Sequence, residues 1–156
     1  MAPSKFIKTV TQSGKCNALT LTTLLCLALS APAFAALEED IIGSWKLISH
    51  VSTFQGETFD SHQALLSQRP CAANISYEIG KDKTYRLNAA ASNCDDKYKK
   101  MQEKLYAKTQ WKLEGNTITT SATNFAVGQS YTVRIEANRM IWTGKDGQGT
   151  LTYQRQ

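Results

Sequence analysis

The chain has 156 residues, 42% hydrophobic and 20% charged, with 18 Lys and Arg against 13 Asp and Glu and a formal charge of +5. That length fits one domain with a real core, and no internal repeat, low-complexity tract or linker divides it. The basic excess does not point to nucleic acid: the lysines are spread along the chain and no nucleic-acid motif accompanies them.

Residues 1–35 read as a cleaved signal peptide. Lys5, Lys8 and Lys15 make a basic start, and Ala18 to Leu29 is an uncharged apolar run. Ala33-Phe34-Ala35 then sets small residues around a cleavage point, ahead of Glu38, Glu39 and Asp40. The run falls short of the about 20 apolar residues that span a bilayer. Cys26 follows Leu24 and Leu25 rather than the small residues that precede a lipid-bearing cysteine. Export to the periplasm or the medium is therefore expected, with 36–156 as the working domain. Losing three lysines and no acid lowers its formal charge to +2.

Cys16 and Cys26 would leave with the signal, and Cys71 and Cys94 remain. Two cysteines in an exported domain most simply form one disulfide. No metal and no cofactor are expected, because His50 and His62 show no ligand spacing.

Beyond a short helical lead at Leu37 to Ile42, period-2 alternation with one apolar face dominates. Trp45, Leu47, Ser49 and Val51 alternate with Lys46, Ile48, His50 and Ser52. Ile75 to Ile79, Tyr85 to Ala89 and Leu105 to Leu113 continue the pattern, followed by Thr117 to Ser121, Tyr131 to Ala137, Arg139 to Thr143 and Gly149 to Arg155. Short polar turns at Gly80 to Lys83, Glu114 to Asn116, Ala137-Asn138 and Lys145 to Gly147 separate the runs. Spacing this tight makes neighbours antiparallel. The prediction is an all-β domain: an eight-stranded antiparallel up-and-down meander barrel with a short N-terminal helix, closed to remove its edges. Two stretches break the rhythm: 57–70, with a short helix near His62 to Gln68, and 93–103, a charged loop or single helical turn.

A four-residue loop at Lys81 to Thr84 would set Gly80 opposite Tyr85, so that paired residue numbers sum to 165. Cys71 and Cys94 sum to the same value, which puts them at the open end of that hairpin. A bridge over such a loop contributes about 3 kcal/mol.

Gly43-Ser44-Trp45 opens the first strand and Thr152-Tyr153-Gln154-Arg155 ends the last. Thr109-Gln110-Trp111-Lys112-Leu113 and Gly115-Asn116-Thr117-Ile118-Thr119 lie between them. In order and spacing, from Ile41 to Arg155, these resemble the small bacterial lipocalin-like domains. The resemblance implies a calycin-type barrel in which Gly43 and Trp45 sit at the closed end and Arg155 lies across Trp45. That role is structural, and a guanidinium over an indole is attractive by about 0.5–2 kcal/mol.

Alternation nominates Tyr77, Tyr85, Leu87, Trp111, Tyr131, Val133, Trp142 and Tyr153 as inward-facing. They would either line a site for a small apolar or amphipathic molecule or simply fill the core. Arg86 and Arg134 are expected outward and solvated. The alternative is a protein-interaction module, such as an inhibitor of an exported hydrolase or an envelope factor, acting through loops 57–70 and 93–103. Catalysis is not expected: nucleophile-elbow, zinc-helix and phosphate-loop motifs are missing, and His50 is separated from its serine neighbours by strand alternation.

Overall fold

The computed structural model describes residues 33–145 and 147–156. The predicted signal peptide, apart from its last three residues, lies outside them. The alternating runs form nine strands among the described residues: β1 (Gly43–Phe54), β2 (Glu57–Asp60), β3 (Ser76–Ile79), β4 (Tyr85–Asn88), β5 (Gln110–Glu114), β6 (Thr117–Ser121), β7 (Gln129–Glu136), β8 (Arg139–Gly144) and β9 (Thr150–Arg155). They run in the order β4-β3-β1-β9-β8-β7-β6-β5, every pairing antiparallel, with β2 attached to β1 alone. A short contact joins the ends of this order: Tyr85 N–H donates to the Thr109 carbonyl at 3.0 Å and Trp111 N–H to Lys83 at 2.9 Å. The eight strands other than β2 thus make a nearly closed up-and-down barrel. A short helix, α1 (Ala33–Ile41), leads into it.

Tight hairpins join β3 to β4, β5 to β6 and β7 to β8 at one end of the barrel, here the closed end. Longer segments join the strands at the other, the open end. The β1–β3 connection carries β2, helix α2 (Ser61–Gln68) and a 3-10 turn at Pro70–Asn74, and the β4–β5 connection carries helix α3 (Asp96–Tyr106).

Several local expectations are corrected. The run Leu105 to Leu113 is not one strand: α3 continues to Tyr106 and β5 begins at Gln110. Likewise 93–103 is not a loop or a single turn but most of an 11-residue helix. Asp95 starts it, accepting from Tyr98 N–H at 2.9 Å, as an N-cap should. Strand β2 was not anticipated; four residues of polar and aromatic alternation are too few to stand out, and β1 supplies their partner.

The β3–β4 hairpin has one loop residue fewer than assumed. Gly80 N–H donates to Thr84 at 2.9 Å and Lys83 N–H to Gly80 at 3.1 Å, with Lys83 in the left-handed region at φ 65°. This is the three-residue turn closed by a left-handed residue. Ile79 therefore faces Tyr85, and paired numbers sum to 164 rather than 165. The Cys71–Cys94 disulfide is present, with 5.1 Å between its Cα atoms, but neither cysteine lies on a strand. It ties the 3-10 turn to the approach to α3, so that two excursions at the open end are stapled together.

Under that staple lies a second apolar cluster. Ala72, Ile75, Leu87 and Ala89 are buried there, with Leu66 of α2 and Tyr98 and Tyr106 of α3 packed against them. Arg86 is not solvated as expected. Its guanidinium donates to the carbonyls of Tyr85, Tyr106 and Thr109, bridging the gap where β4 and β5 diverge. Arg134 is exposed and paired with Glu136 at 2.9 Å.

Candidate functional site

The barrel interior is best followed from its closed end. Trp45 is fully buried and its indole N–H donates to the Ile41 carbonyl at 2.8 Å, locking β1 to the end of α1. The Arg155 guanidinium lies 4.3 Å from the Trp45 ring centroid and donates to the carbonyls of Ile42 and Asp40. Gly43 has φ +140°, and a Cβ there would sit 3.0 Å from the Arg155 guanidinium; glycine answers both constraints. Trp111 plugs the same end, donating to the Gly80 carbonyl at 3.0 Å, with Lys83 Nζ 4.1 Å from its ring centroid. Lys83 is also ion-paired to Glu38 of α1. Ile41, Ile79, Ile118, Val133 and Met140 complete this packed layer.

Above it stands a layer of aromatic rings. Trp142 lies 5.2 Å from Tyr153 and 5.6 Å from both Tyr85 and Tyr131, centroid to centroid. Tyr77 contacts Tyr85, Tyr106 and Tyr153 at 5.7–5.8 Å. Such offset and edge contacts each add about 0.5–1.5 kcal/mol beyond area burial. The Tyr85 and Tyr153 hydroxyls are 3.2 Å apart. Burial pushes both well above the ordinary tyrosine range and raises Tyr77, Tyr106 and Tyr131 as well. All five are therefore neutral hydroxyls near neutral pH. The Trp142 indole N–H is buried and has no hydrogen-bond partner among the described residues, a situation costing roughly 1–3 kcal/mol.

Over this layer, at the open end, is a cavity of about 280 Å³, just under the roughly 300 Å³ at which small-molecule sites usually begin. Five of the eight residues nominated by alternation line it: Tyr77, Tyr85, Tyr131, Trp142 and Tyr153. The other three do not. Trp111 and Val133 belong to the closed-end layer, one level too deep along their strands. Leu87 is packed into the cluster beneath the disulfide.

Leu47, His50, Tyr106, Thr120, Gln129, Gln148 and Leu151 also line the cavity. Leu151 shares the inward phase of Tyr153 and was legible by alternation. Tyr106 was not: in a strand it points away from Trp111, whereas as the last residue of α3 it turns inward. His50 was assigned to the outer face, but a register shift between Leu47 and Ser49 against β9 inserts one residue into β1. Beyond this bulge the facing parity reverses, so odd-numbered Leu47 and even-numbered His50 both meet the cavity.

His50 is held at the rim by two contacts. Its Nε2 lies 3.1 Å from the Gln148 carbonyl, which fixes Nε2 as the protonated nitrogen, and its Nδ1 lies 3.0 Å from Ser61 Oγ. Separated by 11 residues, this pair was invisible to a search of chain neighbours. The amides of His62 and Gln63, which follow Ser61 in the first turn of α2, both donate to Asp60 Oδ1. The pair fastens the start of α2 to the rim. Next to it, burial and the neighbouring His50 hold the His62 imidazole below its ordinary range.

No Asp, Glu, Lys or Arg lines the cavity among the described residues. Chemically, the site offers aromatic faces, neutral hydroxyl donors, one unpartnered indole donor and an imidazole at the rim. The nearly closed antiparallel barrel is compatible with a calycin-like fold. No protein-family model, curated protein or solved structure matches this chain.

Proposed function

We propose that this protein is an exported lipocalin-like binding protein whose open-end cavity takes a small, uncharged amphipathic molecule carrying a hydrogen-bond acceptor. The observation that carries the reading is the Trp142 indole N–H, buried without a partner among the described residues on a ring that lines a largely aromatic cavity. A donor left unsatisfied in a core is normally eliminated; an acceptor on a ligand would satisfy it. Among the described residues no charged side chain lines the cavity, which favours a neutral ligand over a carboxylate, since the latter would lose hydration without gaining a counter-charge from them. The modest volume favours a compact, ring-sized molecule over a long acyl chain. Export is supported by the Cys71–Cys94 disulfide, a bond that persists in oxidising compartments.

The test is a mass comparison of protein purified from its native exported compartment, under native and then denaturing conditions. An excess of a few hundred daltons lost on denaturation is the expected result. Without such an excess, and with no change in Trp142 fluorescence on titration with neutral aromatic carbonyl compounds, the reading is overturned. Trp142→Phe keeps an aromatic ring on the wall and removes the donor, and is expected to weaken binding about tenfold, one hydrogen bond's worth.

A further inference from the structure

Six large apolar side chains stand exposed among the described residues: Phe54, Phe59, Leu65, Met101, Leu105 and Val127. Isolated exposed apolar residues need no explanation, but these are segregated. Phe54 and Phe59 lie on the β1–β2 arm, Leu65 on α2, Met101 and Leu105 on α3, and Val127 in the β6–β7 connection. All of these belong to the open end; the closed-end hairpins carry none of the six. The pairing of Ser52 with Phe59 and of Phe54 with Glu57 puts both phenylalanines on the same face of the arm.

Helix α3 adds charge to this pattern. At 100° per residue, Met101 and Leu105 form one exposed stripe, and Lys97, Lys100 and Lys104 form the adjoining one, also exposed. None of these three lysines lies within ion-pair distance of a carboxylate among the described residues. The nearby acids are engaged elsewhere: Asp96 with Lys99 at 2.9 Å, Asp95 with Arg69 and the helix cap, and Glu103 with the Ala89 amide at 3.2 Å. An apolar stripe edged by exposed lysines outside ion-pair distance of any described carboxylate matches the layering of an anionic bilayer surface, with acyl chains beneath phosphates.

We propose that the open end of the barrel docks on an anionic lipid surface, with Met101 and Leu105 entering the headgroup boundary and Lys97, Lys100 and Lys104 lying against the phosphates. The β1–β2 arm supplies Phe54 and Phe59 at the same end. The proposal holds whether or not the cavity carries a ligand.

The experiment is co-sedimentation of the full mature protein with vesicles of phosphatidylcholine alone and of phosphatidylcholine mixed with phosphatidylglycerol. Each lysine near an anionic surface contributes about fivefold in partitioning, so a preference of at least about tenfold for the anionic vesicles is expected, declining as salt is added. Replacing Lys97, Lys100 and Lys104 together with Gln should abolish the preference. The double variant Met101→Ser/Leu105→Ser should weaken binding to both vesicles, while Lys81→Gln at the closed end leaves it unchanged. All these positions are exposed, and an unchanged melting temperature shows that the variants fold. Equal partitioning on the two vesicles, or binding that survives both the lysine and the apolar variants, overturns the proposal. So does a lipid-free dimer in sedimentation velocity that Met101→Ser/Leu105→Ser dissolves, which would assign the face to a second copy of the chain.

Discussion

The two ends of this barrel are built on different principles. At the closed end three tight hairpins bring the strands together, and the large side chains that plug it are hydrogen-bonded: Trp45 to Ile41, Trp111 to Gly80, Arg155 to Ile42 and Asp40. At the open end the connections are longer, a disulfide fastens two of them, and the indole N–H of Trp142 lacks a partner among the described residues. At the closed end short turns go with hydrogen-bonded indoles, whereas the aromatic-lined cavity and the buried indole N–H without a described partner lie where the chain makes excursions.

The broadest way to break this comparison is alkaline pH. The buried tyrosines have their ionisation raised above the free value of about 10. The unfolded chain therefore loses protons first, and the stability their neutral forms contribute is held below pH about 10 and lost as pH rises through the folded values. Unfolding followed by circular dichroism should coincide with the appearance of tyrosinate absorbance. Tyrosinate forming in an intact fold would mean that the aromatic layer is wet.

Among substitutions, Trp45→Ala should be the most damaging, at about 3–5 kcal/mol in urea unfolding, because the closed end has no slack to fill the void. Replacing Cys71 and Cys94 with Ser should cost about 3 kcal/mol in the chain-entropy model. Here hydrogen exchange is the sharper readout: amides of α2, the 3-10 turn and α3 should exchange faster through local opening, while those around Trp45 should report only the global loss. Uniform acceleration would show that the open end is not an independent region. Arg155→Ala should cost about 1–2 kcal/mol, for the cation–π contact and its carbonyl partners at a partly solvated site. Trp142→Phe should change stability by less than about 1 kcal/mol, or raise it slightly, since the donor it removes has no partner. A large loss would mean that the indole N–H is satisfied by an internal water.

A milder pH effect should appear in acid at the open end. Burial depresses His62, so the stability supplied by its neutral ring is present above its unfolded value near pH 6.5 and is lost as pH falls through the lower folded value. His62→Gln should flatten that part of the stability profile.

Much of the barrel was legible along the chain because alternation and turn chemistry are local. Tyr77, Tyr85, Tyr131, Trp142 and Tyr153 face the cavity as their strand phases implied, and Gly43, Trp45 and Arg155 meet at the closed end as the lipocalin-like pattern implied. The remaining differences come from what alternation along the chain leaves out. Alternation assigns a residue to a face but not to a depth, so Trp111 and Val133 were placed in a site they lie beneath. It also assumes an uninterrupted phase, which the β1 bulge violates at His50. Near Tyr106, a helix capped by Asp95 overrode an apparent strand.

By itself the sequence determined the mostly β, antiparallel architecture, where most of its turns fall and which two cysteines could pair in the described domain. Each follows from contacts between near neighbours or from simple counting. Only the tertiary structure decided the β3–β4 register, the reversal that brings His50 inward, the stapling of the two open-end excursions by Cys71 and Cys94, and the cavity above Trp142. Those depend on how a strand meets a partner distant in the chain, where one inserted residue changes which side of the sheet every later side chain faces.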